Sequence, residues 1–205
     1  MLQTSFRQVS FFVAILVFLS GCSTTPDSFT NVEFDLHQQR LASISEYQAF
    51  GKIGYISPQQ RESLNFQWQH SQDGSELRLT TFLGQTVLKL NLSPSGAEVE
   101  TYEGDIIKDR DAQVLIYQLT GLMIPIEPLS DWLLGKPSGA KTYVLNDTNT
   151  LQSLEKQISG QKWKLNFLSY RDHNHQGFPL PLPSKLRLEH QDTKINIVIS
   201  KWLYQ

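Results

Sequence analysis

Cys22 is the only cysteine in a chain of 205 residues, and it closes an apolar run, Phe11 to Leu19, followed by Ser20-Gly21. A thiol can act as a nucleophile, pair in a disulfide or carry an acyl group. With no second cysteine, the disulfide is ruled out within the chain. Other candidate chemistry is sparse. In Asp172-His173-Asn174-His175, histidines two apart share a strand face and could bind a metal. A third ligand is not evident nearby, and the same residues suit a polar loop before a proline-rich stretch. Asp109 and Asp111 stand at a helix start, where capping accounts for them. His37, His70 and His190 are isolated. There is no G-x-S-x-G, no Walker loop and no G-x-G-x-x-G. Nothing in these residues argues for an enzyme.

The context of Cys22 points to acylation. Arg7 precedes nine apolar residues, far short of the roughly 20 that span a bilayer. A basic start, a short apolar core and small residues before a cut make a secretory signal. Leu19-Ser20-Gly21-Cys22 resembles the lipobox of bacterial lipoprotein signals. That resemblance implies cleavage before Cys22, an S-diacylglycerol on its thiol and an N-acyl group on its new amino terminus. Together these chains would hold the protein essentially permanently, since one acyl chain alone anchors weakly. An exported chain also meets an oxidising compartment, where a thiol consumed by lipid is no liability. Ser23 stands where an Asp would resemble an inner-membrane retention mark, which implies the outer membrane. The expected organisation is a signal peptide over 1–21, a lipidated tether over 22–31, and one domain over 32–205.

That domain must hold together without a disulfide, and its length suffices for a core. The net charge of −2 and the lack of a basic stretch exclude a nucleic-acid binder. Val32 to Gln48 carries Leu36, Leu41, Ile44 and Tyr47, a spacing that predicts an amphipathic helix ended by Gly51 and Gly54. The period then becomes two: Leu64, Phe66 and Trp68, then Leu77 and Leu79, then Leu88, Leu90 and Leu92 alternate with polar residues. Such strands have one wet face and are antiparallel. Asp111 to Gly121 predicts a helix capped at both ends, and Pro128 to Gly135 predicts another. Hairpins are expected at 154–167 and 186–199, with Gly177 to Pro183 extended between them. A sheet with one apolar face, covered by two short helices inserted between its halves, makes a pocket as well as a core. Phe66, Trp68, Leu88 and Leu90 are the candidate lining.

Thr80-Thr-Phe-Leu-Gly-Gln-Thr86 joins two of these strands. A polar loop is expected there, yet its tip carries Phe82 and Leu83, with Gly84 offering a positive φ. Periodicity leaves two placements open, tucked inward as core or exposed at the tip.

Taken together, the lipobox cysteine, Tyr47-Gln48, Tyr55-Ile-Ser-Pro-Gln-Gln60, Phe66-Gln-Trp68, Leu83-Gly84, Leu119-Thr-Gly-Leu-Met-Ile-Pro125, Asp131-Trp-Leu-Leu-Gly135 and Lys162-Trp-Lys164 resemble the outer-membrane lipoprotein receptor LolB family in order and spacing. The resemblance implies an α+β fold, an incomplete, unclosed antiparallel β-barrel with a helical lid over a hydrophobic cavity. It implies a monomeric, non-enzymatic receptor without cofactor, lipid-anchored in the outer membrane and facing the periplasm. Such a receptor takes acylated lipoproteins from the periplasmic carrier LolA and inserts them into that membrane. Leu83 falls on the family's protruding loop, whose exposed leucine serves insertion. Phe82 departs from the turn-favouring proline expected before it. The alternative class is a lipid-anchored barrel that binds another amphiphile or senses envelope state.

Overall fold

The computed structural model describes residues 27–100 and 104–204. The apolar segment and Cys22 lie outside the described residues. Helix α1 (Phe34–Ala42) opens the fold, followed by β1 (Tyr47–Ile56), β2 (Arg61–Ser71), β3 (Gly74–Thr80), β4 (Thr86–Ser93), β5 (Gly96–Glu100) and β6 (Ile106–Asp109). Helices α2 (Ala112–Thr120) and α3 (Leu129–Leu134) come next. The chain ends with β7 (Thr142–Leu145), β8 (Leu151–Ile158), β9 (Gln161–His175), β10 (Phe178–His190) and β11 (Thr193–Tyr204).

The strands form one sheet in the order β6-β5-β4-β3-β2-β1-β11-β10-β9-β8-β7. All its neighbours pair antiparallel. Its two edges are β6 and β7, and they do not pair with each other. The sheet is therefore an unclosed barrel. The segment between those edges in sequence holds α2 and α3, so the chain passes from one edge to the other by way of the helices. One hydrophobic cluster joins the inward residues of both limbs of the sheet, such as Leu79 and Leu165, with Leu115, Ile116, Trp132 and Leu133 of the helices.

The alternating segments form strands as expected, with Leu64, Phe66, Trp68, Leu77, Leu79, Leu88 and Leu90 buried. Both inserted helices also match. The Asp111 side chain accepts from the Gln113 and Val114 amides, and Gly121 ends α2 at φ 70°. Gly135 ends α3 at φ 84°.

Two expectations differ. The first helix stops at Ala42 rather than Gln48. The Ser43 amide closes the last turn on Gln39, and Tyr47 already pairs with His70 and Tyr204 in the sheet. The apolar spacing misled because Leu36 is exposed while His37 is buried in its place. Gly51 and Gly54 then lie within β1 rather than stopping a helix. Gly51 sits at a bulge, where a Cβ would fall 1.9 Å from the Val198 carbonyl oxygen. Glycine there marks a close backbone approach.

The proline stretch is a strand. Pro179, Pro181 and Pro183 pair with Asn174, Asp172 and Tyr170 of β9. On its other side β10 meets β11 from Lys185 onward. Alternate residues aim their N–H groups to the same side, so these prolines remove donors from one side only.

Candidate functional site

The turn between β3 and β4 is tightly built. Thr81 N–H donates to the Gln85 carbonyl at 2.9 Å and Gly84 N–H to the Thr81 carbonyl at 3.0 Å. Asn65 Nδ2 donates to the same Thr81 carbonyl at 3.1 Å from β2. Gly84 takes φ 84° with nothing within 4 Å of a would-be Cβ. This is the short hairpin loop in which a turn is followed by a left-handed glycine. Phe82 and Leu83 are its two central residues, and they are 86% and 73% exposed. Of the two placements left open by periodicity, the chain adopts the exposed one. Phe82 occupies the turn position at which proline is favoured, and the hydrogen bonds hold the turn without it.

Behind the turn lies the apolar interior. Phe66, Trp68, Leu88 and Leu90 face inward from β2 and β4 and are buried in the same cluster as the helices. Trp132 of α3 and Trp163 of β9 are fully buried, and neither indole N–H has a hydrogen-bond acceptor among the described residues. Unpaired donors in an apolar interior are costly, about 1–3 kcal/mol each.

Two tyrosines of β1 tie down the helical cover. Tyr47 hydroxyl donates to the Ser130 carbonyl in α3 at 2.5 Å. Burial pushes its phenol well above the usual range, so it stays a donor. Tyr55 hydroxyl accepts from the Met123 amide in the connector at 3.3 Å. From α1, Gln38 Nε2 donates to the Gly135 carbonyl at 3.1 Å, and Lys136 pairs with Asp131 at 2.6 Å. Leu129, Trp132, Leu133 and Leu134 are all buried. Helix α3 is thus fixed. Helix α2 packs inward through Leu115 and Ile116, with Val114, Tyr117 and Leu119 exposed.

Asp172-His173-Asn174-His175 lies in β9, not in a loop. Asp172 accepts from the hydroxyls of Ser28 at 2.5 Å and Thr30 at 2.8 Å. His173 and His175 pack edge-on against Tyr204. Ser28 N–H also donates to the Tyr170 carbonyl at 2.8 Å, and Val32 N–H to the Thr148 carbonyl at 3.1 Å. The described part of the expected tether is thus stitched along β9. The short polar side chains of Ser28 and Thr30 were the available signal for this, but no local period marks their distant partner.

Residues 45–202 match the family model for outer membrane lipoprotein LolB. The chain belongs to the LolB family. It is 50% identical over 198 residues to the outer-membrane lipoprotein LolB of Vibrio vulnificus, covering 96% of this chain and 98% of that one. It is 53% identical over 195 residues to that of Vibrio campbellii, with 94% and 96% covered. A crystal structure of a LolA superfamily protein from Nitrosomonas europaea superposes with a TM-score of 0.50 at 10% identity, covering 85% of this chain and 94% of that one. The likeness to that solved structure shows the shared fold alone. As a LolB family member, the chain is an outer-membrane lipoprotein.

Proposed function

We propose that this chain, anchored through acyl groups on Cys22, accepts acylated lipoproteins from the carrier LolA and delivers them into the outer membrane without catalysing a reaction. The observation that carries this reading is the exposed Phe82-Leu83 pair on a hydrogen-bonded turn. Leaving a leucine-sized side chain in water forgoes roughly 1.5–3 kcal/mol of burial. A lipid surface returns that burial, and a braced tip transmits the contact to the sheet behind it.

Acyl chains cannot cross water unshielded, since each exposed CH₂ costs about 0.8 kcal/mol. An open apolar sheet under a helical cover offers the shield. The unpaired indole N–H groups of Trp132 and Trp163 suit the ester and amide carbonyls that such cargo carries. Transfer then runs down a gradient of affinity from carrier to receptor to bilayer.

The test is reconstitution. The lipidated protein is placed in liposomes and challenged with LolA loaded with a labelled lipoprotein. Label should reach the bilayer only in liposomes that carry the protein. Equal delivery to bare liposomes, or retention on the carrier, would contradict the reading.

A further inference from the structure

A depression of about 520 Å³ lies where the start of α2 meets both limbs of the sheet. On one side are the β2–β3 and β4–β5 turns, and on the other is the β8–β9 turn. Its lining includes Ala97, Ile126 and Ile158, all buried members of the main hydrophobic cluster. Polar groups share the lining, among them Gln72, Arg110 and Ser159. An apolar floor continuous with the core, under a polar rim, matches an acyl chain carried on a polar head.

The same place holds a contact between α2 and the far limb. Gln113 Nε2, in the first turn of α2, donates to Gln161 Oε1 at the start of β9, at 3.1 Å. Gln113 and the adjoining Ile158 and Ser159 line the depression. A single amide pair trades its bond against bonds to water and is weak in net terms, so it can close a gap and still open thermally. Helix α2 keeps Val114, Tyr117 and Leu119 exposed while Leu115 and Ile116 are buried, and Gln113 makes a polar contact between it and the far limb.

We infer that this depression is the doorway of the interior: an acyl chain enters between α2 and the β8–β9 turn, its polar head resting on the Arg110 rim, when the Gln113–Gln161 contact opens. This rests on the cargo reading above and adds where the chain enters and which helix moves. The chemistry fits the acyl groups of a lipoprotein or of a phospholipid.

The experiment uses residues 22–205 with Cys22→Ser, so that introduced thiols are the only ones. Gln113→Cys and Gln161→Cys are joined by a reducible bifunctional thiol reagent. A second pair, Gln157→Cys and Lys162→Cys, which face each other within the β8–β9 hairpin, is joined in the same way and leaves the doorway free. Uptake of a fluorescent diacylated lipopeptide and of a fluorescent phospholipid is followed in each protein. The doorway bridge should slow lipopeptide uptake at least ten-fold, reduction should restore it, and the hairpin bridge should leave it unchanged. A block confined to lipopeptide assigns the doorway to lipoprotein, and a block of both assigns it to acyl chains generally. Uptake through the closed bridge at the unbridged rate would overturn the doorway while leaving the receptor reading intact. Failure of the unbridged protein to take up lipopeptide would overturn both.

Discussion

Tyr47 hydroxyl donates to the Ser130 carbonyl at 2.5 Å, across 83 residues of sequence. The bond joins the first residue of β1 to α3, so the strand at the middle of the sheet holds the helix that covers it. Its neighbours on the ring side are His70 and Trp202, with centroids 5.5 and 5.6 Å away. Shape and hydrogen bond are thus separable at this site.

Tyr47→Phe keeps the ring and removes the donor. Leaving the Ser130 carbonyl without it should cost about 1–2 kcal/mol by denaturant unfolding. Amide exchange over 129–134 should accelerate more than exchange in β9 and β10. Uniform acceleration throughout the sheet would show that the bond serves global stability instead.

Two glycines three positions apart should respond very unequally to alanine. A Cβ on Gly51 would fall 1.9 Å from the Val198 oxygen and 2.9 Å from the Phe66 ring, whereas one on Gly54 comes no closer than 4.0 Å to Asn196. Gly51→Ala should destabilise by about 3 kcal/mol or more, because backbone must shift. Gly54→Ala should stay within about 1 kcal/mol of the parent. Thermal unfolding of the pair reads both, and equal effects would contradict the bulge geometry.

Acid should weaken the fold through buried histidine. His37 is buried on α1 and its Nε2 has no hydrogen-bond partner among the described residues. Burial, then the nearby Arg40, lowers its pKa from 6.5 to about 4. The unfolded chain therefore binds a proton that the folded chain refuses. Stability is full above pH 6.5 and falls as pH drops toward 4, by up to about 1.4 kcal/mol per pH unit. Burial lowers the pKa values of His70 and His173 as well, which adds to the same slope. His37→Leu should flatten part of the decline between pH 6.5 and 4 in melting temperature. An unchanged slope would mean that His37 is not the group responsible.

Much of this molecule follows from period and caps. Leu64, Phe66 and Trp68 alternate because one face of β2 is wet, and Asp111 and Gly121 bound α2 by ordinary capping chemistry. The first helix was overextended because Leu36, Leu41, Ile44 and Tyr47 satisfy a helical spacing whether or not the chain stays helical. The tertiary pairing of Tyr47 with His70 and Tyr204 decides the boundary, and no local signal carries it. The proline strand was hidden for a similar reason. Pro179, Pro181 and Pro183 are tolerated because of which side of β10 lacks β11 at that point, a property of the sheet rather than of the stretch. At the tip, composition raised the question of Phe82 and Leu83, and only the built turn answered where they point. The doorway contact between Gln113 and Gln161 joins residues 48 apart and leaves no trace in either one's neighbourhood.

The most direct test of the account is Leu83→Glu in the reconstituted transfer reaction. The side chain is 73% exposed, so the substitution should change stability by no more than about 0.5 kcal/mol. The variant should still accept labelled lipoprotein from LolA, fail to release it into the bilayer, and accumulate as a receptor–cargo complex. Delivery at the parent rate, or a sharp fall in melting temperature, would contradict the claim that this tip works by entering lipid.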